Sequence, residues 1–394
     1  MASIDQIYCI RMIRLPPANV QLGVPFELAI SITDDVGTPV PDHGELILRL
    51  GCFSDDYCQE ECGDLAVLMQ PTNLATFAID CLNSTFHSFT VSVQRKQPKS
   101  KITLRAIRVS VSLDGKKGHS VHVLTDQDQQ VARMVGQEAY ATFKLRKRNV
   151  LILRACSGRT KISPAYTAVS KDKVRTSEVF IYPPTGSSPL RVTERPSLHI
   201  IGDHLWHSSI VLATYILNCN KLMMSGSASR TRTLYVELGS GCGLVSLATA
   251  CMLARQHLTS KEVITTDLPE VVDTTLSETL AANPALSKLI TTQALRWGQS
   301  QVDLPVDIQQ HDGDLVILAS DVLYNAHSHR DFLTTLLGMF ESSKHHCEAL
   351  LTYKHRVEGD DGFFQMANQA GLCSEMIHKV ADIEIWRCLA GHSM

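Results

Sequence analysis

Residues 235–243 read Tyr-Val-Glu-Leu-Gly-Ser-Gly-Cys-Gly, a short apolar run that breaks into alternating glycines. That pattern predicts a buried strand feeding a sharp turn. Glycines there let the main chain bend tightly and let a ligand approach it closely. Glu237, Gly239, Gly241 and Gly243 form E-x-G-x-G-x-G. A phosphate loop of the G-x-x-x-x-G-K-S/T kind needs a lysine that does not follow here, and a dinucleotide loop, G-x-G-x-x-G/A, needs Gly or Ala where Leu244 stands. What remains is an acid-led glycine loop suited to a nucleoside without a pyrophosphate.

The pattern around this loop alternates strands with helices, the signature of a parallel sheet wrapped by helices. Predicted strands at 234–238, 263–266, 290–295, 315–319 and 349–353 interleave with predicted helices at 204–220, 244–256, 269–283, 328–340 and 362–370. Segments 374–380 and 383–388 read as a closing antiparallel hairpin. The first third differs. Segments 26–32, 45–50, 76–80, 86–93 and 102–113 alternate and are separated by turn residues, which predicts an antiparallel, sandwich-like β domain. Strands are also expected at 150–153, 178–182 and 190–193. The expected organisation is a β domain over 1–125, a linker with a short helix over 126–147, and an α/β domain over 148–394. A chain of 394 residues has room for both.

In an open α/β sheet, ligands sit beyond the carboxyl ends of the strands. Asp267 follows the second strand, where a carboxylate can accept from both hydroxyls of a ribose; the other reading is a helix N-cap, since Leu-Pro-Glu follows. Trp297 follows the third strand and offers either a flat face for adenine or a core side chain. After the fourth come the small residues Ala319 and Ser320, then Asp321 and Tyr324, which face the place where an acceptor must enter. S-adenosyl-L-methionine is a nucleoside of the required kind.

Residues 178–390 resemble the protein-lysine branch of the seven-β-strand (class I) S-adenosylmethionine-dependent methyltransferases. The resemblance lies in an ordered set: His204-Leu-Trp206, the glycine loop, Thr-Asp267-Leu, Leu-Arg-Trp297-Gly, Ser-Asp321-Val-Leu-Tyr324 and Tyr353-Lys-His-Arg356. It implies a Rossmann-like domain with a C-terminal antiparallel hairpin. By resemblance, Trp206, Gly239, Ser240, Gly241, Asp267, Trp297 and Ser320, with Glu237 of the loop, bind S-adenosyl-L-methionine. Asp321 and Tyr324 stand at the acceptor motif as the candidate catalytic residues. The implied substrate is a lysine in a protein such as a chaperone, AAA ATPase or translation factor. Cys242 stands where Thr or a small residue is common, and Ser320 where Ala is usual. The first 150 or so residues have no counterpart in the minimal family domain. Two other readings stay open: a methyl acceptor other than lysine, and a non-catalytic interaction protein that uses its N-terminal β domain.

Near Tyr324, His327 and His329 read as bases or as helix-start histidines. Phe363 and Phe364 read as slot walls or as core. The net charge of −3 gives no basic field for nucleic acid, and the basic stretches 95–101 and 144–148 lack interleaved aromatics. No apolar run approaches the roughly 20 residues that span a bilayer. Asp5, Arg11 and Arg14 interrupt any leader-like core, and the chain holds 12 cysteines. The expected compartment is therefore reducing: cytoplasmic or nuclear. Cys52, Cys58 and Cys62 with His87 lack paired C-x-x-C spacing, so no metal is expected.

Overall fold

The structure is a computed structural model that describes residues 4–17, 19–34, 40, 45–53, 61–80, 86–97, 106–113, 126–134, 142–145, 148–157, 160–162, 176–184, 188–195, 200–218, 232–257, 262–298, 304–356 and 362–391. Cys58, the loop 221–231 and the basic residues 98–101 lie outside them. The chain forms two compact units, residues 1–200 and 201–394.

The first unit is built from two sheets. One runs Leu65–Met69, Phe86–Arg95, Phe26–Thr33, Gln6–Arg14, Arg148–Leu153, Thr142–Leu145. In the other, Ala106–Leu113 pairs with Glu45–Phe53, which pairs in turn with Thr76–Asp80. Alternate residues of both sheets meet in one core: Ile10 and Met12, Leu28 and Ile30, Leu46 and Leu48, Val109 and Val111. This period-two burial from two sheets is the physical basis of a sandwich. The expected strands form, the one at 102–113 as Ala106–Leu113, with 102–105 outside the described residues. Gln6–Arg14 and Leu65–Met69 join them as strands the sequence analysis had not marked. Asp126–Met134 is the expected short helix.

The boundary differs from the one expected at 148. Arg148–Leu153 pairs in parallel with Gln6–Arg14, and Ser177–Ile181 bridges Ala155–Ser157 to Leu190–Glu194. Arg108, almost fully buried, forms an ion pair with Glu178 at 2.9 Å. Breaking either half of such a pair would strand a buried charge. Arg148–Leu153, Ala155–Ser157, Ser177–Ile181 and Leu190–Glu194 are therefore strands of the β unit. Cys52 and Cys62 lie side by side in this unit, with sulfurs 3.3 Å apart.

The second unit carries a seven-stranded sheet: β1 (Thr233–Leu238), β2 (Val263–Asp267), β3 (Ile290–Ala294), β4 (Asp314–Ser320), β5 (Cys347–Lys354), β6 (Leu372–Val380) and β7 (Ile383–Ala390). Their order is β3-β2-β1-β4-β5-β7-β6. The first five are parallel, and β7 runs antiparallel to both neighbours. The main helices are α1 (His207–Asn218), α2 (Leu244–Arg255), α3 (His329–Ser342) and α4 (Gly362–Gln369). Leu234, Val236 and Leu238 of β1 share a core with Ile317, Leu351, Phe332 and Phe363, so this sheet face is covered by α3 and α4. The intervening residue Glu237 points to the other face, toward α2. The helix expected over 269–283 forms in three pieces: Pro269–Val271, a π-helical Val272–Leu276 and Ser277–Ala281. Phe363 and Phe364 are fully buried core residues.

Strand order reverses direction between β1 and β4. In such sheets the ligand crevice opens at that switch point, beyond the strands' carboxyl ends. Every residue expected in the site comes from this edge or from the turn that enters α1.

Candidate active site

The turn after β1 is held open by its backbone. Gly239, Gly241 and Gly243 have φ of 68°, 51° and 78°, the left-handed region that glycine alone enters freely. At Gly239 space is also limiting: a Cβ would stand 3.0 Å from both Trp297 and Val322. The loop is tied to β2 by Ser240 N–H, which donates to the Thr266 carbonyl at 3.0 Å.

Asp267 ends β2 and is clamped at both oxygens. Oδ2 accepts from Gly241 N–H and Oδ1 from Leu268 N–H, each at 2.7 Å. The N-cap of the following helix is Leu268, so Asp267 is not the cap. Burial pushes its carboxyl up, and the two N–H groups pull it back. Each oxygen keeps a free lone-pair direction for a further donor.

Glu237 proves to be a capping group. Its Oε2 accepts from Ser246 N–H at 2.9 Å and from the Ser246 hydroxyl. Ser246 lies in the first turn of α2, whose N-cap, Gly243, has no side chain to offer. A carboxyl oxygen there satisfies an orphan donor of the helix. Its other oxygen, Oε1, is buried without a hydrogen-bond partner among the described residues, and so is the Ser240 hydroxyl.

Burial raises the Glu237 carboxyl from its ordinary 4.5 to about 8, against the opposing Ser246 contacts. Between those values the folded protein holds a proton that the unfolded chain releases. The contribution is fully present below about 4.5 and is lost as pH rises through about 8. Glu237→Gln, which cannot titrate, is expected to remove this slope. Chemical denaturation of the ligand-free protein should show the variant gaining on wild type as pH rises across the window. A constant difference between the two would contradict the assignment.

Trp297 packs its inner edge on Phe332, ring centroids 5.1 Å apart, and is half-buried. Trp297 is thus in part a core side chain. Trp206 donates its Nε1–H to the Ile201 carbonyl at 3.1 Å. Ser320 is the buried last residue of β4. Tyr324 is 44% exposed, and burial together with the carboxylates of Asp267 and Asp321 pushes its hydroxyl up. His329 is buried with Nε2 2.9 Å from the Leu323 carbonyl oxygen, a structural role, whereas His327 is exposed.

Sequence reasoning assigned no role to Arg356. Its guanidinium donates to both oxygens of Asp321 and stands 5.8 Å from the Trp206 ring centroid. The stretch 353–356 had been noted, but no spacing reveals that its last residue reaches across 35 positions to Asp321. Arg356 thus links Trp206 to Asp321, Gly241 binds Asp267, and Gly239 abuts Trp297. The separated stretches converge.

A parallel sheet in this order, closed by a reversed final hairpin, with a glycine loop after β1, defines the class I methyltransferase fold. Residues 185–370 match the family described as "Lysine methyltransferase". The chain is 27% identical over 171 residues to a UPF0665 family protein of Schizosaccharomyces pombe, covering 43% of this chain and 47% of that protein. It is also 27% identical over 162 residues to protein N-lysine methyltransferase METTL21A of Mus musculus, covering 41% of this chain and 65% of that protein. The chain thus spans less than two thirds of either relative. Among solved structures, the T. thermophilus 16S rRNA N2 G1207 methyltransferase in complex with AdoMet and guanosine aligns with a TM-score of 0.37 and 14% identity. That alignment covers 60% of this chain and 55% of that one.

The cofactor of this methyltransferase class is S-adenosyl-L-methionine, and the residues present fit it. The cradle at Gly239 has no room for a side chain. The unpartnered Glu237 Oε1 and Ser240 hydroxyl are polar groups still short of a partner. Among the described residues no group of His, Cys, Asp and Glu could hold a metal ion, and no helix is long and apolar enough to cross a membrane.

Proposed function

We propose that this chain transfers a methyl group from S-adenosyl-L-methionine to the side-chain amine of a lysine in a protein. The observation that carries the proposal is the convergence of Gly239, Gly241, Asp267 and Trp297 at the switch point of the sheet, with Asp321 and Tyr324 beside them. The family match over 185–370 supports lysine as the acceptor.

When bound, the cofactor supplies a methyl carbon on a sulfonium, whose sulfur keeps the bonding pair as the C–S bond breaks. In this reading Asp267 holds the ribose, the Trp297 face takes the adenine, and the loop 239–241 with Ser240 and Glu237 borders the amino-acid end. Trp206 and Ser320 close the walls. The lysine must arrive neutral, although its ordinary pKa is about 10.4. Its lone pair forms the N–C bond, and the positive charge passes to nitrogen until a proton leaves to solvent. Tyr324, with its ring partly exposed at the mouth, offers an aromatic wall that attracts this cation. The remaining contribution of the protein is alignment and exclusion of water.

The test is proteome-wide mass spectrometry of cells with and without the gene. We expect one lysine methylation to vanish on deletion and to return with the wild-type gene but not with Asp267→Ala. Loss of a methyl mark from RNA or a metabolite instead, with every protein lysine unchanged, would replace the proposal with another acceptor.

A further inference from the structure

The carboxylate at the acceptor motif is not bare. Arg356 Nη1 lies 2.7 Å from Asp321 Oδ1 and Nη2 lies 2.5 Å from Oδ2, a planar fork on a planar acceptor. The Asp321 side chain is 3% exposed and that of Arg356 15%. Asp321 is held at φ 59°, an uncommon conformation for a residue with a side chain, and its N–H donates to the Thr352 carbonyl at 3.1 Å. A constrained backbone and a two-point ion pair together specify where this carboxylate stands.

Resting on the function proposed above, we infer that Arg356 is a positioning residue of the acceptor slot. By occupying Asp321 it keeps that carboxylate from capturing the incoming lysine as its ammonium, so the slot receives the neutral amine.

The physical argument is charge balance. A lone buried carboxylate beside an amine favours the protonated form and raises its pKa by about 1–3 units. A protonated amine has no lone pair with which to attack. Paired with Arg356, Asp321 presents almost no net charge, and the guanidinium disfavours a second cation nearby. Among the described residues, further titratable groups lie near this edge. Asp267 and Glu237 are engaged by Gly241, Leu268 and Ser246. Tyr324 carries a hydroxyl pushed upward. His204 stands against Trp206, His355 against Tyr353, and His329 on the Leu323 carbonyl.

The experiment measures kcat against pH for the full chain. Its substrate is the purified protein that takes label from radioactive S-adenosyl-L-methionine in extracts of cells lacking the gene, used at saturation. Affinity for S-adenosyl-L-methionine is measured alongside. Arg356→Gln is expected to move the acid limb up by about one pH unit or more and to lower kcat about tenfold near neutral pH, with recovery in base. Asp321→Asn leaves the guanidinium unopposed and is expected to move the limb down. Arg356→Lys keeps the charge and is expected to stay near wild type. Opposite movements are a signature that a folding defect does not produce. Equal loss at every pH in the first two variants would overturn the inference. If Arg356→Gln fails to fold, an unmoved limb in Asp321→Asn does the same. A wild type that labels no protein removes the proposed function and this inference with it. A labelled protein with unmoved limbs removes this inference alone.

Discussion

Replacing Asp267 with alanine is expected to lower the affinity for S-adenosyl-L-methionine by at least about 100-fold. The carboxylate does two jobs in the structure. It fixes the glycine loop through Gly241 N–H and anchors the exit of β2 through Leu268 N–H. In our reading its remaining lone pairs accept both ribose hydroxyls. Hydrogen bonds to a charged group contribute roughly 1.5–3 kcal/mol each. Two of them, at about 1.4 kcal/mol per tenfold, amount to two decades or more. The alanine variant also leaves Gly241 N–H without its partner, which loosens the loop that borders the ligand. Isothermal titration calorimetry on the full chain measures the loss, and a melting curve confirms that the variant is folded. Affinity retained within about threefold would contradict the ribose assignment, because charged hydrogen bonds of this kind cannot be removed so cheaply.

The second large effect belongs to Gly239→Val. Here the cost arises from conformation and space together. The native φ of 68° is strained for any β-branched residue. The new Cβ would also begin 3.0 Å from Trp297 and 3.0 Å from Val322 before its methyl groups are added. Left-handed strain of about 1–2 kcal/mol and overpacking of about 1–3 kcal/mol combine to roughly 3 kcal/mol. For a unit of this size that corresponds to a melting midpoint lower by roughly 6–12 °C. Cofactor affinity should fall by about tenfold or more, because the ring displaced is the one assigned to adenine. A midpoint within about 2 °C of wild type and unchanged affinity would show that the loop relaxes freely. The cradle would then not be the rigid feature described here.

The two variants probe features that differed in how legible they were. The glycine loop could be read directly, because an apolar strand followed by glycines at alternate positions has few other uses. The α/β alternation was legible for the same reason: β1, β2, β4 and β5 are short buried runs with helical segments between them. The unit boundary was not. Segments 150–153 and 178–182 look like any alternating strands, and nothing local says that their partners are Gln6–Arg14 and Ala155–Ser157. Glu237 shows the same limit at the level of one side chain. Its place in the motif suggested ligand contact, whereas half of its carboxylate caps α2, a role set by which sheet face it leaves from. Arg356 was legible only as part of a stretch. Its contact with Asp321 depends on β4 and β5 being neighbours, a property of the sheet rather than of spacing.

The most direct measurement is an experimental structure of the full chain with S-adenosyl-L-homocysteine. Our account predicts the nucleoside in the crevice beyond β1 and β4, its ribose hydroxyls on Asp267, its adenine against Trp297 and its amino-acid end along Gly239 to Gly241. A nucleoside bound away from this edge, or a ribose that makes no contact with Asp267, would contradict it.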